Sequence, residues 1–437
     1  VVRLAEHDQD WDVSRWVKSR DGGGGASAPV SLPRVEIVNG RLLFTAREKV
    51  WRLPAEVRDL NARLAIGTND GLRLDVQQMS FATVAEASGA PFQARRVTGV
   101  LRFKDGATLE AVRVESDAGT MSVSGRVGPT APRVLQLSAA LDRVDTTRWR
   151  AFTGLLDTVT LTASGTLAFS GPVDALKIQS ALATNVGRIA GTTSVENHPD
   201  RLRITNDLQV SAFDAEHVMG DPVWRSTLTG RVRFTAESRA GASAWTVAAK
   251  LSGGPYRAFG ADLDVVDGEL TYANDRVSFT TAAGAYGASA HGSGTIVLRP
   301  ALAIDVTADR VAGLDFRRMP AAWRFVPLDS EMAATALAVR WTDGHWTLDT
   351  TLDDSRVEGA TFERGTTMKV TSDPNDLRIA AEGRVRALDA RRMGKATGLT
   401  GLDDPIFVTD LNGRFRVSGQ GRDLAGIDLT ADADLQR

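Results

Sequence analysis

The chain has 437 residues, 43% hydrophobic and 24% charged, with 41 Gly, 15 Pro and no Cys; such proportions exclude wholesale disorder and a collagen-like fibre. Its 52 basic and 54 acidic residues leave a net charge of −2, without the positive field that nucleic-acid binding requires. The absence of cysteine excludes disulfides, thiolate metal sites and a Cys nucleophile.

In chain order, residues 1–20 read as a short helical segment carrying the first copy of a marker, Asp12-x-x-Arg15-Trp16. Residues 21–29 are a Gly-rich linker, since four successive glycines hold no regular structure cheaply. From 30 to 437 the prevailing period is two. Leu72-Arg73-Leu74-Asp75-Val76 and Arg201-Leu202-Arg203-Ile204-Thr205 alternate, and Leu161, Ala163, Gly165, Leu167 and Phe169 share one side of a run. So do Ile427 and Leu429, with Asp428, Asp432 and Asp434 on the other side. Alternation at this period means strands with one dry and one wet face. Dipeptides that tolerate positive φ punctuate the runs as expected hairpin turns: Asn39-Gly40, Asp70-Gly71, Asp105-Gly106, Asp267-Gly268, Asp343-Gly344 and Asn412-Gly413.

Two internal repeats emerge. The marker recurs as Asp145-x-x-Arg148-Trp149, Asp315-x-x-Arg318-Met319 and Asp389-x-x-Arg392-Met393. Asp suits a helix N-cap, so each copy is expected to be a one- or two-turn helix whose Trp or Met packs inward. The second repeat is a strand, a Gly turn and a small-residue strand, such as 119–127, 165–171, 290–297 and 413–419. Glycine inside a strand permits bending or close backbone approach, and repeated bends would curl a sheet. The expected architecture is therefore all-β, an elongated, curled antiparallel repeating sheet forming a hydrophobic groove, with a few short helices.

No nucleophile elbow, P-loop, zincin helix or dinucleotide fingerprint is present. His291 beside Ser289 and Ser293 reads as a surface or core histidine, and Asp262-x-Asp264-x-x-Asp267-Gly268 as a strand entering a hairpin rather than a calcium loop. No catalytic residue, metal site or cofactor is expected. The 45 Arg against 7 Lys read mainly as surface composition. No stretch has the apolar content of a membrane span; the longest uncharged run, 279–298, is mostly Gly, Ala, Ser and Thr. The chain opens Val1-Val2-Arg3 and stops inside an alternating run, so a piece of a longer polypeptide is expected.

The Asp-x-x-Arg-Trp markers, the Asp-Gly hairpins followed by Gly-x-(Met/Leu/Ile)-x-(Val/Phe)-x-Gly strands, and the opening 32–42 resemble the AsmA-like family of bacterial envelope proteins, which includes the TamB and YhdP types. The resemblance implies a curled β-groove lined with aliphatic side chains and no catalytic residues. It also implies a periplasmic location in a Gram-negative-type bacterium, with an inner-membrane anchor outside this chain. The implied function is non-enzymatic carriage of phospholipid acyl chains between inner and outer membranes, or envelope assembly, with protein partners at either membrane and no nucleic acid. The groove residues expected from the alternation are Leu161, Leu167, Phe169, Val232, Phe234, Phe415, Val417, Ile427 and Leu429. The alternative is a β-repeat scaffold or adhesin with a closed core, binding protein or glycan through its outer face.

Overall fold

The computed structural model describes residues 2–7, 10–11, 32–45, 56–67, 71–83, 92–148, 161–214, 216, 225–239, 245–258, 261–298, 300–319, 328–373, 376–398, 400–402, 404–422 and 428–436. It is all-β, its strands paired mainly antiparallel with sequence neighbours, and its helices are short. Two compact units divide the chain, Val1–Thr227 and Leu228–Arg437. Residues 1–20 contain two strands, Val2–His7 and Asp10–Trp11, rather than helix throughout. The first pairs parallel with Leu32–Thr45; the alternation Val2-Arg3-Leu4 was already a strand pattern. The marker Asp12, Arg15 and Trp16 and the linker 21–29 lie outside the described residues, as does Trp149. Among the described residues no helix is long and apolar enough to cross a membrane.

The remaining markers fold as the N-cap argument requires. Asp389 caps the helix Ala390–Thr397, its carboxylate accepting from the Arg392 N–H, and Gly398 ends it in the left-handed region. Asp315 caps the 3-10 turn Phe316–Arg318 by accepting from the Arg317 N–H. Asp145 accepts from the Thr147 N–H at 2.9 Å. Met393 packs against the buried cluster of Met332, Ala334, Leu352 and Val357.

The marker arginine reaches beyond its own turn. Arg148 pairs with Asp117, in the turn joining Ala107–Ser116 to Gly119–Val127. Arg392 pairs with Glu358 at 3.1 Å, in the turn between Ser355–Val357 and Ala360–Phe362. Arg318 lies on Gly287, where a Cβ would overlap its guanidinium. Each of these three markers thus reaches a preceding hairpin turn.

Those turns share a second device. The side chain at the first turn position accepts an earlier backbone N–H: Gln93 to Asp117 at 3.1 Å, Thr162 to Asn185 at 2.9 Å, Asp262 to Tyr286 at 2.8 Å and Asp329 to Glu358 at 2.7 Å. Such bonds satisfy strand-end donors that no ladder partner reaches.

Three of the expected turn dipeptides instead lie inside strands. Asn39-Gly40 is in Leu32–Thr45, Asp267-Gly268 in Val265–Ala273 and Asn412-Gly413 in Leu411–Gly421. Asn412 fills a bulge, accepting the N–H of Ala387 at 3.0 Å, where Ala387 has φ 54°. Ser124 and Ser164 do the same for Ala111 and Arg143 at 3.1 and 2.8 Å. The glycine following each filler, at 125, 165 and 413, takes positive φ, so side chain and glycine together let the ladder absorb an extra residue. Asp105-Gly106 and Asp343-Gly344 do join strands.

Candidate functional site

Register places every second residue of each strand on a common face. In the second unit one row runs Phe279, Gly294, Val306, Val339, Leu348, Val370, Ile379 and Gly419. The row one residue away runs Thr280, Ser293, Thr307, Ala338, Asp349, Lys369, Ala380 and Ser418. One face is therefore aliphatic and the other polar or small across many consecutive strands. The first unit repeats the division: Leu137, Phe169, Ile178 and Thr193 share a row, next to Ser138, Ala168, Gln179 and Thr192.

Among the described residues, the apolar face is closed at one end of the strands only. Where the markers lie, Met332, Ala334, Leu352 and Val357 are buried and flanked by Phe316 and Phe362. In the first unit the equivalent cluster is Phe92, Ala94, Val97 and Ala118. Away from that end most apolar-face side chains, including Leu348, Val339 and Ile379, are half-buried. Strands contact chiefly their sheet neighbours, so among the described residues of each unit no second layer covers this surface. An aliphatic face left half-open retains an unspent hydrophobic driving force, about 25 cal/mol per Å² of apolar area.

Of the expected groove residues, Leu167 and Phe169 share one face of the first unit and are half-buried, and half-buried Leu161 sits just ahead of Thr162–Pro172. Val232 and Phe234 are half-buried in Ser226–Arg239. Val417 lies on the apolar face of the second unit; Phe415 packs edge-on to Phe362 at 5.7 Å and so belongs with the closed end. Leu429 pairs with Gly419 in Asp428–Gln436, and Ile427 lies outside the described residues. The alternation rule missed the long rows through 277–421, because Gly, Ala and Thr interrupt the aliphatic run in any single strand. Only register between strands reveals their continuity.

A concavity of about 960 Å³ in the second unit crosses strands from Thr280 to Ser418. Its lining mixes Leu337, Met368 and Val417 of the apolar face with Asp349, Lys369 and Arg416 of the polar one. Its charged residues are paired: Lys369 with Asp349 at 3.7 Å, Arg416 with Glu382 at 2.9 Å, and His291 Nδ1 with Asp309 at 2.9 Å. The hydrogen bond from His291 holds the Asp309 carboxyl below its usual range. Among the described residues no three His, Asp or Glu side chains converge on a metal-sized site, and Asp428, Asp432 and Asp434 are exposed along one strand.

A buried phenol stands apart from this pattern. Tyr256 is 5% exposed, its hydroxyl has no hydrogen-bond partner among the described residues, and burial pushes its pKa up. The ring crosses a place where Gly230 and Gly253 carry no side chain; a Cβ on Gly230 would overlap its hydroxyl.

No family model, curated protein or solved structure matches this chain.

Proposed function

We propose that the protein is a non-enzymatic carrier of phospholipid acyl chains, held against the apolar face of its sheet. The observation that carries this reading is a face aliphatic over many consecutive strands, half-buried and, among the described residues of each unit, uncovered. Acyl chains suit such a surface because each buried CH₂ contributes about 0.8 kcal/mol without a directional bond. The paired charges on the opposite face leave no concentrated field to select one headgroup. The resemblance of the markers and Gly strands to AsmA-like proteins supports a place in the bacterial envelope, with lipid passing between inner and outer membranes or serving envelope assembly.

Native mass spectrometry of the purified chain, followed by transfer of labelled phospholipid between vesicles, tests this reading. Bound phospholipid and accelerated transfer are expected. Val417→Asp should lower both at least ten-fold, while Ser418→Asp, one residue along on the polar face, should leave them unchanged; circular dichroism confirms that each variant folds. A chain that neither carries nor transfers lipid overturns the reading and returns the scaffold alternative.

A further inference from the structure

The apolar face of the second unit is graded along the strand direction. At the marker end lies the closed cluster of Met332, Ala334, Leu352 and Val357. The middle rows are aliphatic, with Val306, Val339, Leu348 and Ile379. At the opposite end the last row changes character. Ile304 pairs with Trp341, Trp341 with Trp346 and Trp346 with Ser372, and the two tryptophans face each other across the Asp343-Gly344 turn. Both are half-buried, and among the described residues neither indole N–H has a protein acceptor. Tyr272 shares this row through Val277 and Ile296, its hydroxyl bonded to Asp275 at 3.2 Å. Just beyond, Leu298 and Leu302 remain 36% and 42% exposed.

Tryptophan with a wet N–H and a dry ring is the side chain that occupies boundaries between hydrocarbon and polar headgroups. The dimensions fit as well. Trp346 to Leu352 is six residues of strand, about 20 Å, whereas one leaflet of bilayer hydrocarbon is about 15 Å deep. One acyl chain laid along the strands therefore fits between the tryptophan row and the closed cluster.

We propose that Trp341 and Trp346 form a headgroup site, orienting a phospholipid with its polar head at the hairpin end and its chains running towards the marker end. This rests on the lipid-carrier reading and adds a direction and named residues to it. The indole N–H groups donate to phosphate or ester oxygens, and the rings cover the first methylenes. The polar side chains at this end pair with one another, Arg340 with Asp305 at 3.6 Å and His345 with Asp373 at 2.5 Å, so no concentrated positive field demands an anionic head and zwitterionic ones are accepted.

Two photoactivatable phosphatidylcholines test the orientation, one carrying its diazirine in the headgroup and one at the chain terminus. After crosslinking to the full chain, peptide mapping should place the head probe on residues 341–346 and the tail probe on 332–334 and 350–352. The Trp341→Phe, Trp346→Phe double variant keeps an aromatic ring at each position and removes both donors. It should lower head crosslinking at least five-fold, the worth of about one hydrogen bond, with tail crosslinking retained. Head labelling at the marker end, or label spread evenly along the strands, overturns the orientation while leaving the carrier reading intact. Unchanged head labelling in the double variant overturns the role of the indoles. No labelling by either probe defeats the carrier reading itself, and this inference with it.

Discussion

Tyr256 carries two measurable consequences at the scale of a single residue. Its buried hydroxyl is desolvated without compensation, so Tyr256→Phe should raise the unfolding free energy by about 1 kcal/mol in denaturant melts. Its raised pKa makes a second demand. A group held protonated in the folded state contributes stability that is intact below its unfolded value near 10 and is lost as pH climbs towards the folded value. Wild type should therefore weaken in alkali more steeply than Tyr256→Phe. Glycines can be ranked in the same way. Gly165 has φ 137°, and a Cβ there would collide with the Ala181 carbonyl oxygen; Gly344 has φ 82° with nothing within 4 Å. Gly165→Ala should cost about 3 kcal/mol and Gly344→Ala about 1 kcal/mol, read from shifts in unfolding midpoint. The strand position of Gly165 was legible in the alternation. Its collision was not, because that depends on which backbone lies opposite.

The marker is the best-legible device at the scale of elements. Aspartate before a short run with Arg three residues on implies a capped turn, and Asp315 and Asp389 cap as that reasoning requires. Asp389→Ala should cost about 1 kcal/mol by thermal denaturation. Arg317 holds the Asp315 carboxyl below its usual range. Its contribution is thus present above the unfolded value of about 3.9 and fades as pH falls through the lower folded one; Asp315→Asn should flatten that acid limb. The destination of the arginine was hidden, since Arg148 and Asp117 are 31 residues apart and only folding brings them together. Hairpins divide along the same line. Asp105-Gly106 and Asp343-Gly344 turn the chain, yet Asn412-Gly413 has the same chemistry and sits in a bulge. Positive φ serves both ends, and the dipeptide alone does not say which. Ser116-Asp117-Ala118-Gly119 and Thr184-Asn185-Val186-Gly187, where the hydroxyl bonds the glycine carbonyl at 2.8 and 2.7 Å, are the turn signal that the Asn/Asp-Gly rule overlooked.

At the scale of the whole molecule, each strand depends chiefly on the strands beside it. Stability in such a chain is closer to a sum of neighbouring terms than to one global property. Hydrogen exchange on Gly165→Ala should show faster exchange in Val134–Asp145 and Ala175–Thr184, with protection of Ser330–Thr342 and Asp376–Leu388 unaltered. The same arrangement constrains how the chain can change in length. Between Asp145 and Asp214, which accepts the Glu216 N–H at 3.0 Å much as Asp145 accepts that of Thr147, the described residues form four strands: Thr162–Pro172, Ala175–Thr184, Gly187–His198 and Arg201–Phe213. Between Asp315 and Asp389 the long strands are again an even set, Ser330–Thr342, His345–Leu352, Thr367–Asp373 and Asp376–Leu388. An even number returns the chain to the end where the marker must dock, whereas one extra strand would deliver it to the wrong end. Genetic insertion or deletion is thus quantised: whole hairpins can be gained or lost while every later cap still meets its turn, and a single strand cannot.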